Sequence, residues 1–128
     1  MQDLIERVSS AAGIDAALAQ KSIGLILGFL KKEAPAAEME QLMAAMPGAG
    51  AMAAASEEGG GKSLLGSAMG MLGGGGIMGL AGKLTDAGLG MGQMQSVGKE
   101  LFAYGREKAG EDVVGAIAGS VPGLSQFI

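Results

Sequence analysis

The 128-residue chain has no cysteine, no histidine and no tryptophan. The first two absences remove disulfides, thiolate nucleophiles, the usual zinc ligand sets and every triad that uses imidazole as its base. Proline occurs at three positions, Pro35, Pro47 and Pro122, and aromatic residues make up 3% of the chain. Charge is also sparse: nine basic and thirteen acidic side chains leave a net charge of −4 and a pI near 4.7. Nucleic-acid affinity comes largely from phosphate neutralisation by Lys and Arg, yet only Lys31 and Lys32 are adjacent here. The balance argues against a nucleic-acid partner and against electrostatic docking on anionic lipid. The first residues, Met1-Gln2-Asp3-Leu4-Ile5-Glu6-Arg7, carry acids where a signal peptide needs positive charge, and no long apolar run follows. The expectation is a cytoplasmic protein of bacterial type.

Small residues are what the chain has in quantity, 25 glycines and 22 alanines, together with ten methionines. Leu, Ile, Val and Phe number 29, a share just above the roughly 20% below which disorder is the default.

Sliding the sequence against itself by 75 positions aligns Ala12-Gly13-Ile14 with Ala87-Gly88-Leu89 and Pro47-Gly48 with Pro122-Gly123, without a gap. Between these marks Gln20 meets Gln95, Ala34 meets Ala109 and Lys31 meets Arg106. Ile26, Leu27, Phe29, Met39, Leu42 and Met46 fall on Leu101, Phe102, Tyr104, Val114, Ile117 and Val121. Fixed-period similarity of this kind reflects a repeated supersecondary unit.

Each half reads as three helices. Leu4, Ile5 and Val8 have helical spacing over 2–11, and Gly13 ends that segment. Asp15 is placed to cap the next helix, which runs to Lys32 with Ile23, Ile26, Leu27 and Leu30 on one face. Lys31 and Lys32 complement the dipole of its last turn. Pro35 suits the first turn of a third helix, whose face is Met39, Leu42, Met43 and Met46 and which Pro47-Gly48 stops. In the second half the corresponding helices span 77–86 and 91–108, followed by a third that opens on Glu111 and Asp112 after Gly110. The long one carries Met94, Val97, Leu101, Phe102 and Tyr104, and the last carries Val113, Val114, Ile117 and Val121. No period-2 run of β-branched residues exists to form strands, so the predicted fold is all-α.

This order of a G-[IL] turn, a long helix, a short helix and then P-G, around a Gly/Ala/Met-rich middle, resembles the VcgC/VcgE-like family of small bacterial domains of unknown function. The likeness rests on Ala87-Gly88-Leu89, on Gly110-Glu111-Asp112-Val113-Val114 and on Pro122-Gly123-Leu124. It covers residues 10–50 and 80–125. It implies the helical fold and no catalytic residues.

Residues 63–82 contain no charge and include Gly66, Gly70 and Gly74 at four-residue spacing. Twenty apolar residues match a bilayer span, and such a glycine ladder lets helices approach closely in lipid. Against this, the segment has eight glycines, each costing about 1 kcal/mol of helix propensity relative to alanine, and no Trp or Tyr anchors its ends. A linker leading into the second repeat is the simpler reading, followed by a seam of close helix–helix packing inside a soluble bundle or oligomer.

Other motifs fail on their context. Ser56-Glu57-Glu58-Gly59-Gly60-Gly61-Lys62-Ser63 ends like a phosphate-binding loop but has Ser where the first glycine belongs, and it follows alanines rather than a strand. Gly74 to Gly79 fits G-x-G-x-x-G only through glycine abundance. Methionine thioethers select Cu(I), but Met39, Met43 and Met46 at helical spacing also suit core packing. Glu38 and Glu40 diverge on a helix, and Glu107, Glu111 and Asp112 surround a helix junction as capping or solvated groups. No pair is placed to tune a pKa for general acid–base work.

These readings predict repeats over 1–48 and 77–128 joined by a Gly/Ala/Met-rich linker over 49–76, packed as a small helical bundle. The expected function is a non-enzymatic assembly module without a cofactor or metal. Its partner is another copy or another protein, met through Met39, Leu42, Met43, Met46, Leu101, Phe102 and Tyr104. A mean hydropathy of +0.36 agrees with apolar surface used in association. The alternative is a membrane-active protein that inserts 63–82. A weaker alternative is a carrier of an apolar ligand or a soft metal.

Overall fold

The structure, a computed structural model, describes residues 2–53, 77–121 and 123–124. Among these the six longer elements are all α-helices: α1 (Gln2–Ala12), α2 (Ala16–Glu33), α3 (Ala36–Ala45), α4 (Ile77–Ala87), α5 (Met91–Ala109) and α6 (Glu111–Ser120). Adding 75 to the C-terminal bound of α1 and to both bounds of α3 gives those of α4 and α6, while α2 shifted in this way ends one residue short of α5.

The helix ends follow from local chemistry. α1 stops where Gly13 takes φ +68°, and α4 where Gly88 takes φ +108°. At both, the second residue beyond the helix donates back to a carbonyl five residues earlier, Ile14 N–H to Ser9 and Leu89 N–H to Leu84, each at 3.1 Å. That closure satisfies carbonyls the helix end would otherwise orphan. The Asp15 carboxylate accepts from Leu18 N–H at 2.7 Å and caps α2. At α5 the capping is reversed: Gly90 N–H donates to the Gln93 side chain at 2.8 Å. Lys31 and Lys32 lie in the last turn of α2, and Glu111 and Asp112 in the first turn of α6. Pro35 occupies the cap position before α3 rather than its first turn.

The helices pack crosswise between the halves. α1 lies chiefly on α5, α4 lies on α2, and α3 and α6 pack against each other, while α1 also touches α2 and α5 touches α6. α1 buries Leu4, Ile5 and Val8; α4 buries Leu80 and Leu84. α2 is enclosed on nearly all sides from Ser22 to Leu30, with only Leu25 and Phe29 half-buried. One core joins both halves, running from Ile23, Leu27 and Leu30 to Val97, Leu101 and Phe102. At about 1.5–3 kcal/mol per fully buried aliphatic side chain, this core dominates the stability of the fold.

The Gly48 turn, φ +96°, does not lead directly into a linker. Residues 49–53 are helical, and Ala49, Met52 and Ala53 are buried, so ordered packing continues past the expected boundary at residue 48. Two glycines, Gly48 and Gly50, disguise this turn in the sequence. The remainder of the expected linker, 54–76, lies outside the described residues.

Candidate functional site

The apolar residues expected to meet a partner are instead used within the chain. Met39, Leu42, Met46, Leu101, Phe102 and Tyr104 are buried in the core, Met46 completely, and Met43 is half-buried against it. The apolar faces that Met39, Leu42 and Met46 form on α3 and Leu101, Phe102 and Tyr104 on α5 are therefore turned inward. Met94 and Met52 are core residues too, whereas Met91 is 69% exposed at the start of α5. Gly66, Gly70 and Gly74 lie outside the described residues.

One polar constellation stands out, and it links the halves. Arg7 on α1 reaches across to α5, where its Nη1 donates to Glu107 at 2.8 Å and its Nε to Glu100 at 3.3 Å. Glu100, Tyr104 and Glu107 share one face of α5 at i, i+4 and i+7. The Arg7 guanidinium lies 5.9 Å from the Tyr104 ring centroid, and Lys108 Nζ lies 5.5 Å from it. The hydrogen bond with Glu107 pushes the Arg7 pKa further up; desolvation offsets part of this, and the charges of Glu107 and Glu100 add to the rise. A raised pKa stabilises the fold at every pH below the unfolded guanidinium's own titration. Arg7 therefore brings no pH dependence to the neutral range. Its side chain is 36% exposed, so screening limits what the pairs contribute.

Beside this cluster lies an open groove lined by Asp3, Glu6, Arg7, Ser10, Ala11 and Glu100. Its carboxylates face solvent along a helix surface and form no enclosed reaction chamber. Glu111 and Asp112 are exposed at the α6 start as expected, but Glu107 is committed to Arg7. Sequence spacing missed this pairing, because its partners lie 93 and 100 positions apart.

The second link between the halves runs through backbone. Gln93, which receives Gly90 N–H, also donates from Nε2 to the Ala12 carbonyl at 3.3 Å, tying the end of α1 to the start of α5. A third is steric. A Cβ on Gly105 of α5 would come within 3.2 Å of Leu42 Cδ1 on α3 and 3.1 Å of Val114 Cγ2 on α6. Glycine is what lets these three helices approach.

Among the described residues no cluster of three acidic side chains could hold a metal ion. No single described helix is long and apolar enough to cross a membrane; α1 and α2 pass that test only as a pair, bent by 106°. In comparisons with protein-family models, with curated proteins and with solved structures, nothing matches this chain.

Proposed function

We propose that the chain is an internally duplicated, non-enzymatic assembly module that associates with further copies of itself through small-residue helix faces. The observation that carries this reading is the crosswise packing, in which the first helix of each half rests on the long helix of the other. Such a chain is built as a pair of complementary helix-binding surfaces. The duplication is supported by the 75-residue offset between the ends of α1 and α4, between the bounds of α3 and α6, between Gly13 and Gly88 at positive φ, and between the end-closing hydrogen bonds. The same turns carry the proposed kinship with VcgC/VcgE-like domains.

The faces left over for association are short-chained. Ala36, Ala37 and Ala44 are exposed on α3, and Gly115, Ala116 and Gly119 on α6. Small side chains permit close helix approach at little cost in side-chain entropy. Sedimentation velocity on the full chain across a hundredfold concentration range tests the reading. A mass that rises with concentration is expected, and a monomer throughout would contradict it.

Insertion of residues 63–82 into a membrane is the competing proposal. It requires α4, which begins at Ile77 and buries Leu80 and Leu84, to leave α2. Flotation with neutral vesicles separates the two proposals, since an assembly module stays at the bottom of the gradient.

A further inference from the structure

We propose that the joint between the halves also closes between two copies, so that residues 1–53 of one chain pair with residues 77–128 of another in a reciprocal, half-exchanged dimer. The inference rests on the self-association reading above, with the contact between copies placed at the α1–α5 and α4–α2 joint rather than on the small-residue faces of α3 and α6. Three observations lead to it. First, the largest helix–helix contact is made between halves, α1 on α5, and the reciprocal one, α4 on α2, is also between halves. Second, α4 has its main packing partner in the first half, so the second half by itself leaves Leu80 and Leu84 without cover. Third, the polar and steric contacts that specify the joint all cross it: Arg7 with Glu100 and Glu107, Gln93 with Ala12, and Gly105 under Leu42.

A joint whose specifying contacts all run between two segments of chain is satisfied equally well by a segment from a second copy. Exchange of this kind needs no new interface and therefore little additional energy. The 23 residues from 54 to 76 that connect the segments set the balance, because a connection raises the effective concentration of the internal partner. Exchange is accordingly favoured by high protein concentration and by any change that penalises the internal joint.

Two full-length variants test this by charge complementation. In Arg7→Glu, α1 faces like charge on α5 within the same chain, and so it does in Glu100→Arg/Glu107→Arg. In an exchanged heterodimer of the two, both joints carry opposite charges. The variants are co-refolded from denaturant in equal amounts, and the products are weighed by native mass spectrometry. The expected result is a heterodimer in at least tenfold excess over either homodimer, lost when 0.5 M salt is present during refolding. A second pair, Gly105→Val/Val114→Ala with Leu42→Ala, repeats the logic with a steric bump against Leu42 and a matching hole, Val114→Ala relieving the clash that would otherwise stay within one half. If either variant cannot fold alone, folding restored only in the mixture supports exchange equally. Monomers, or homo- and heterodimers in random proportion with both pairs, would overturn it. Wild-type protein that still self-associates in that case leaves the assembly reading standing, whereas a wild-type monomer at every concentration removes both.

Discussion

Where α1 meets α5, Arg7 reaches Glu100 and Glu107 and lies near the ring of Tyr104. Where α4 meets α2, the positions related by the 75-residue offset are Gly82, Leu25, Lys32 and Phe29. One joint carries ionic groups at its edge; the other has none of the carboxylates and leaves Leu25 and Phe29 half-buried. Beneath that edge both are apolar, with Leu4, Ile5 and Val8 buried from α1 and Leu80 and Leu84 from α4, although of these only Ile5 and Leu80 are related by the offset. Exposed ion pairs contribute about 0–1 kcal/mol each, against about 1.5–3 kcal/mol for each buried aliphatic side chain. The apolar stripe therefore holds both joints, and the ionic edge of the first adds register rather than strength.

Several substitutions sharpen or break this comparison. Leu4→Ala and Leu84→Ala remove side chains that are 0% and 2% exposed. Each is expected to destabilise the protein by about 2–5 kcal/mol, read by urea unfolding. A loss confined to one of them would mean that the two joints are not equivalent. Gly105→Val forces its new atoms against Leu42 and Val114, and overpacking of this kind costs about 1–3 kcal/mol. A neutral result would show that α5 can withdraw from α3 and α6.

The two glycine turns form a finer pair. Gly13 at φ +68° lies in a region an L-residue can enter with strain, whereas Gly88 at φ +108° lies beyond it. Gly13→Ala should cost about 1–2 kcal/mol and Gly88→Ala more, as measured by thermal unfolding. At Gly115 and Gly119 an added Cβ meets nothing within 4 Å, so replacement by alanine should stabilise α6 by about 1 kcal/mol per site. The smallest effect is at the ionic edge. Arg7→Ala should cost about 1 kcal/mol or less, and the loss should shrink as salt is raised. Stability of the α4–α2 joint should show no such salt dependence.

Much of the helix layout was legible because the punctuation is local. Gly13, Asp15, Pro47 and Gly110 each act on backbone within a turn of themselves, so the sequence shows where helices start and stop. What helical spacing cannot express is the partner. The stripe of Met39, Leu42 and Met46 looks the same whether α6 of the same chain or a second molecule covers it, and the structure assigns it to the chain's own core. Arg7 was silent for a related reason: helical spacing offers it Asp3, one turn earlier on the same face, whereas the carboxylates it actually pairs with come from the far end of the chain. The turn at 49–53 was hidden by flanking glycines, which lower helix propensity without preventing burial of Ala49, Met52 and Ala53.

The central claim is that each half supplies the floor on which the other's first helix rests, which makes the described helices one cooperative unit. Native-state amide hydrogen exchange on the full chain measures this directly. The central amides of α1, α2, α4 and α5 should share a single opening free energy equal to that of global unfolding. Two distinct opening free energies, one common to α1, α2 and α3 and another to α4, α5 and α6, would contradict the account.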